Sequence, residues 1–209
     1  GTQSDFEFTT HVARGNERIL GTYDGRYDLA IISHDAAQVA SLLRRDRGSD
    51  AVLPLTRLPA PALVVIAAKN RPDGRELAET HSRRPIPLSR LVAFELVGLD
   101  AFSGVRRQLE ERLRRLHPSS QLTFSTEGGG WTAAREFARQ GLGVAIVPQP
   151  ILKHADSRVF VVRRLSRDFQ LVEFVARRYD ASQAVRDFES SLVRVASKEL
   201  GSAANDRKA

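Results

Sequence analysis

The 209-residue chain has no cysteine and no methionine, and a single tryptophan. Without cysteine there is no disulfide, no thiolate nucleophile and no cysteine-ligated metal site. The missing initiator methionine reads as a fragment, a processed chain or a cloned domain. No apolar run approaches the ~20 residues needed to cross a bilayer, and the first residues lack a signal-peptide pattern, so a cytoplasmic location with no membrane partner is expected. Catalytic signatures are missing too: there is no Gly-x-Ser-x-Gly elbow, no P-loop and no His-Glu-x-x-His run. The histidines at 11, 34, 81, 117 and 154 are scattered without ligand spacing. No acid–base pair stands out. Neither an enzyme nor a metal or cofactor is expected.

What is present is the balance of an ordinary globular protein, 42% apolar and 27% charged, long enough for one full core or two small ones. The net charge of +7 raises nucleic acid as a partner. The arginines, however, are dispersed in pairs at 44–45, 83–84, 114–115, 163–164 and 177–178, with no single element interleaving them with aromatics. They read as solvated faces, and direct DNA binding by this chain is not expected.

Apolar periodicity predicts alternating strands and helices. Phe6 to Val12 alternates as a half-buried strand, and Asn16 is placed to cap a short helix that ends at Asp24-Gly25. Tyr27 to Ser33 is a continuous apolar run, expected to be covered on both faces. A helix follows Asp35, with Val39, Ala40 and Leu43 on one side. Strands are predicted over Ala51 to Leu55, Ala62 to Ala68 and Leu91 to Val97, with a polar surface excursion from 69 to 89. Ser103 is placed to cap a helix bearing Val105, Leu109, Leu113 and Leu116, whose other face sets Glu110 and Glu111 four residues before Arg114 and Arg115. Further strands are read at Val159 to Val162 and Leu171 to Ala176, then a helix with Val185, Phe188, Leu192 and Val195 aligned, and a disordered end from about Gly201. This alternation argues for an α/β fold with mostly parallel sheets and two lobes sharing a cleft.

The most informative stretch is Phe124 to Pro148: a strand, the glycines 128–130, an amphipathic helix stopped by Gly141, and a second buried strand. Consecutive glycines before a helix leave backbone N–H groups open to approach, and the helix N-terminus favours an anion or a polar oxygen. The same glycines also suit a tight turn. Ser33, Ser103 and Thr126 each sit at a strand end or helix start, where a hydroxyl serves equally as a cap. His34 follows the apolar strand, at a position where α/β folds place ligand contacts, though a plain loop pair with Asp35 fits as well. Taken together, hydroxyls at strand ends in both lobes favour a cleft for a polar ligand.

The runs Gly25-Arg-Tyr-Asp-Leu-Ala-Ile31 and Gly141-Leu-Gly-Val-Ala-Ile-Val-Pro148, with the Pro54-Leu55 pair between them, resemble the effector-binding domain of LysR-type transcriptional regulators over roughly residues 5 to 197. The resemblance implies a two-lobed fold like type 2 periplasmic binding proteins. Lobe I would comprise residues 1–67 and 165–209, and lobe II residues 68–164. The strands crossing between them would lie near Ile66–Ala68 and Phe160–Arg164. Ser33, His34, Ser103, Thr126, Gly128, Gly129 and Gly130 would face a small anionic or polar effector. The intact regulator would be a dimer or tetramer that reaches DNA through an N-terminal helix-turn-helix domain, which this sequence lacks. Only Gly1 to Asp5 precede the first predicted strand, so the family's opening strand and helix are expected to be missing. An extracytoplasmic solute receptor of the same fold is the alternative.

Overall fold

The computed structural model describes residues 7–79 and 84–205. The predicted strand's first residue, Phe6, lies outside them, as do His81, Arg83 and the last four residues. In chain order the elements are α1 (Gly15–Tyr23), β1 (Leu29–Ile32), α2 (Ala36–Arg47), β2 (Leu55–Leu58), β3 (Leu63–Ala68), α3 (Pro72–Glu79), β4 (Glu95–Leu99), α4 (Gly104–Leu116), β5 (Thr123–Gly128), α5 (Gly130–Gln140), β6 (Val144–Pro148), α6 (Asp156–Val159), β7 (Phe160–Arg164), β8 (Glu173–Arg177) and α7 (Gln183–Asn205).

The strands form two sheets. One has the order β1-β8-β2 and the other β5-β4-β6-β3-β7. All six residues of β3 are buried, as its unbroken Leu63–Ala68 run requires, because helices cover both faces of the larger sheet. Leu63, Val65 and Ala67 pack with Leu77 of α3 and Leu109 and Leu113 of α4. Val64 and Ile66 point the other way, onto Ala134 and Ala138 of α5. The smaller sheet has its own core, in which Ile32 and Ala176 meet Ile19 of α1 and Val39, Leu42 and Leu43 of α2. On its other side Glu189 of α7 bonds Thr56 of β2, at 2.5 Å, and Arg177 of β8, at 2.8 Å.

Several expectations need correction. The sheets are mixed rather than mostly parallel: β4 runs parallel to β5 and β6, while the four other pairings are antiparallel. The segment 7–14 forms no strand. Among the described residues no strand offers it a ladder, and lone N–H and C=O groups do not hold an extended segment. It packs instead through rings, with Phe8 at 4.7 Å from Phe188 and His11 at 5.7 Å from Tyr27. β1 is covered on one face only, leaving Ile31 42% exposed at the sheet edge. Asn16 lies inside the first turn of α1, whose cap position is Arg14 with no side-chain bond.

The strand predicted at 51–55 starts instead at Leu55, since Pro54 has no N–H to give a ladder; its carbonyl accepts from the Arg177 N–H at 3.0 Å. Leu88–Ala93 is a 3-10 turn, and β4 begins only at Glu95. A short apolar run does not by itself distinguish these states. The excursion at 69–89 contains α3 and the fully buried Leu77, Ile86 and Leu88. On α4, Glu111 pairs with Arg115 as expected, but Glu110 turns back to Arg106 at 2.8 Å, and Leu116 is exposed. The final helix continues through Asn205, past the predicted start of disorder at Gly201.

Gly98 shows how tightly α5 sits on β4. Its φ is +100°, and a Cβ there would lie 2.2 Å from the Ala134 Cβ. Gly98→Ala should destabilise the fold by about 2–4 kcal/mol through strain and overpacking, read as a lower urea midpoint with unchanged slope.

Candidate functional site

Ser33 and His34 are fixed by what surrounds them in sequence. β1 ends at Ile32, and Asp35 caps α2 reciprocally with Gln38: Gln38 N–H donates to the Asp35 carboxylate at 2.8 Å, and Asp35 N–H to Gln38 Oε1 at 3.1 Å. Two further helices begin against the same pair. A Cβ on Gly104, the first residue of α4, would lie 2.2 Å from the Ser33 carbonyl oxygen and 2.6 Å from His34 Nδ1. A Cβ on Gly15, the first residue of α1, would lie 2.3 Å from His34 Cε1. Glycine at both helix starts is what allows this approach. The N-termini of α1, α2 and α4, each partly positive, therefore converge on Ser33–His34.

The polar contacts tie β1 to β8 and, through α4, to the larger sheet. The Ser33 hydroxyl donates to Glu173 Oε1 at 2.9 Å, at the start of β8. The buried Gln108 of α4 donates from Nε2 to the Ser33 carbonyl at 2.6 Å and to the Val172 carbonyl at 2.9 Å, while its Oε1 accepts from Val172 N–H at 2.9 Å. Arg18 of α1 donates to the Ile31 carbonyl at 2.6 Å. Burial pushes the Glu173 carboxyl above its ordinary range, opposed by the Ser33 bond and by Arg18.

His34 is 1% exposed, and neither ring nitrogen has a hydrogen-bond partner. Burial first, then Arg107 and Arg18, push its pKa down to about 4 against the opposing pull of Asp35. It is a neutral imidazole in a positive surrounding.

The remaining predicted residues lie on the larger sheet. Ser103 caps α4, its Oγ accepting from Arg106 N–H at 3.4 Å. The C-terminal ends of β4 and β5 are side by side, with Leu99 opposite Gly128 and Val97 opposite Thr126. Thr126 is half-buried. A Cβ on Gly128 would meet the Phe137 ring at 2.6 Å, so this glycine serves packing. Gly129 and Gly130 face open space, and Gly130 has φ +80°. Glu127 fastens the β5 end to the loop before α4, accepting from Ala101 N–H at 3.4 Å and from Arg106 at 2.5 Å. Ser33, His34 and Ser103–Gly104 thus share one seam, and Thr126 with the glycines lies on the neighbouring strand end. An open cavity of about 480 Å³ touches this seam through Asp35, Gln108 and Val172, and another of about 690 Å³ lies away from it at Tyr23, Asp50 and Tyr179.

Gln108, Glu173 and Arg18 escaped the sequence reading. Two of them carried a signal. Gln108 falls three residues after Val105 on the buried stripe of α4, and Glu173 is the one charge inside the apolar run from Leu171 to Ala176. A polar residue where periodicity demands an apolar one calls for a specific partner.

Two helix-flanked sheets, joined by Gln108 and by the chain passing between them, define a two-lobed α/β fold of the type 2 periplasmic-binding-protein kind. The profile of the LysR substrate binding domain matches residues 3–197, and the chain belongs to that family. It is a ligand-sensing regulatory domain of a LysR-type transcription regulator, which sets aside the extracytoplasmic receptor.

Solved structures of similar fold include the effector binding domain of QuiR in complex with shikimate, at 17% identity and TM-score 0.63 over 89% of this chain and 79% of that one. The Synechocystis PCC6803 CcmR regulatory domain in complex with 2-PG gives 20% and 0.66 over 91% and 83%. The bromide-bound regulatory domain of HypT from Salmonella typhimurium gives 14% and 0.62 over 94% and 85%. No curated protein sequence matches the chain significantly.

The depressed His34 pKa has a consequence for stability. The unfolded chain takes up a proton near pH 6.5 and the folded one only near pH 4, so the contribution is complete above about pH 6.5 and is lost as pH falls toward 4. Between pH 7.5 and 5 the loss should be about 2 kcal/mol. The Glu173 carboxyl acts in the opposite sense, adding stability as pH falls through its raised folded-state value, so the comparison is with His34→Gln, which keeps Glu173 and whose urea stability should be flatter over this interval.

Proposed function

We propose that the chain senses a small anionic effector bound between lobe I, residues 1–67 and 165–209, and lobe II, residues 68–164. Ser33, His34, Ser103, Thr126 and the backbone of Gly128, Gly129 and Gly130 face it. The observation that carries this reading is the seam itself. The end of β1 meets the start of α4 with three helix N-termini converging, and a buried imidazole there has both nitrogens unpaired. An anion accepts hydrogen bonds at such a place, and buried donors left without partners are costly. Shikimate and bromide, the ligands of two of the relatives, are anions.

The domain acts by binding, not by catalysis. In the intact regulator, closure of the lobes on the effector biases a homo-oligomer whose DNA-reading part is a separate helix-turn-helix domain. No helix among the described residues is long and apolar enough to cross a membrane, and the proposed location is cytoplasmic. Calorimetry of the intact regulator against small organic acids, amino acids and aromatics tests the reading. At least one acid should bind, and flat titrations across the panel would overturn it. Thr126→Val should weaken that acid about 3–10-fold, the worth of one hydrogen bond, with an unchanged urea midpoint. Unfolding without selective loss of binding would assign the hydroxyl to structure.

A further inference from the structure

Ser33 is already occupied. Its hydroxyl has one proton to donate, and that proton goes to Glu173 Oε1 at 2.9 Å. An effector that takes a hydrogen bond from Ser33 therefore has to displace a carboxylate belonging to the chain. Glu173 is held there by more than this bond. It begins β8, and the preceding Val172 is clasped by Gln108 through both its N–H and its carbonyl. Positive groups face the pair, against burial and the Asp35 carboxylate: Arg18 attracts Glu173, Arg107 and Arg18 both act on His34, and α1, α2 and α4 direct their N-termini at it. Beside Ser33, the buried His34 ring has both nitrogens unpaired, so one carboxylate leaves the seat only partly used.

We propose that Glu173 is an internal stand-in for the effector's carboxylate: it fills the Ser33 seat in the unliganded domain, and the effector is a carboxylic acid that displaces it. This deepens the effector reading above and rests on it. Glu173 then selects between ligands, because only a group matching its own planar, singly charged carboxylate regains what its departure gives up. It also links the site to the fold, because release of Glu173 frees the start of β8 next to the residue that α4 clasps.

The test needs no knowledge of the natural effector. Acetate is the carboxylate without the rest of the ligand, and thermal melting reads its binding. Glu173→Ala vacates the seat, so acetate at about ten times its Kd should raise Tm of this variant by about 3–5 °C over sodium chloride of equal ionic strength. The wild-type protein, with its seat filled, should show no such difference, and the double variant Ser33→Ala/Glu173→Ala should lose the response. Glu173→Ser, which opens a similar space, serves if Glu173→Ala does not fold. No response in the single variant, or an equal response in wild type and variant, overturns the proposal. Either result leaves the effector reading to stand or fall on titration of the wild-type regulator.

Discussion

The side-chain amide of Gln108 is the interaction on which the arrangement of this protein depends. Both Nε2 protons are used, on the Ser33 and Val172 carbonyls, and Oε1 takes the Val172 N–H. A buried amide satisfied in this way holds three backbone groups that would otherwise each cost about 1–3 kcal/mol. It comes from α4, which packs on the larger sheet, and it holds the end of β1 and the approach to β8, which belong to the smaller one. One residue thus sets how the two sheets face each other. The seam they form is where every candidate ligand contact of the smaller sheet lies.

Glycine makes that seam close enough to matter. Gly15 and Gly104 let two helices start against His34 and Ser33, and any side chain at either place would occupy the imidazole or the carbonyl. The result is a concentration of positive potential from helix ends and from Arg18 and Arg107, answered by the carboxylates of Asp35, at the α2 cap, and Glu173. An anion fits the electrostatics. A polar cleft between lobes, whose relative position a ligand can bias, is the physical basis of a sensor.

Much of this was legible in the sequence because periodicity and capping chemistry are local. The Leu63–Ala68 run, the helix after Asp35, the Ser103 cap, the Gly141 stop and the amphipathic face of α5 are written in adjacent residues, and the structure has them. What failed was decided by distant partners. The segment 7–14 alternates like a strand but has no described neighbour to pair with, and β1 is uncovered on one face because the helix on that side is anchored over β2 and β8. Within the site, Ser33 and His34 could be placed from the strand that precedes them. Gln108 and Glu173 could not, because their partners lie 64 to 140 residues away. The Gly128–Gly130 run proved divided: Gly128 packs on Phe137, while Gly129 and Gly130 face open space.

The central claim is that the ligand sits at the Ser33–His34 seam, between the lobes. The most direct test follows the His34 ring nitrogens and the Gly129 and Gly130 amides by NMR, while the intact regulator is saturated with a carboxylic acid that binds it. The account predicts that these signals move together with the binding curve. Saturation that leaves them in place and instead shifts the residues around Tyr23, Asp50 and Tyr179 would contradict it.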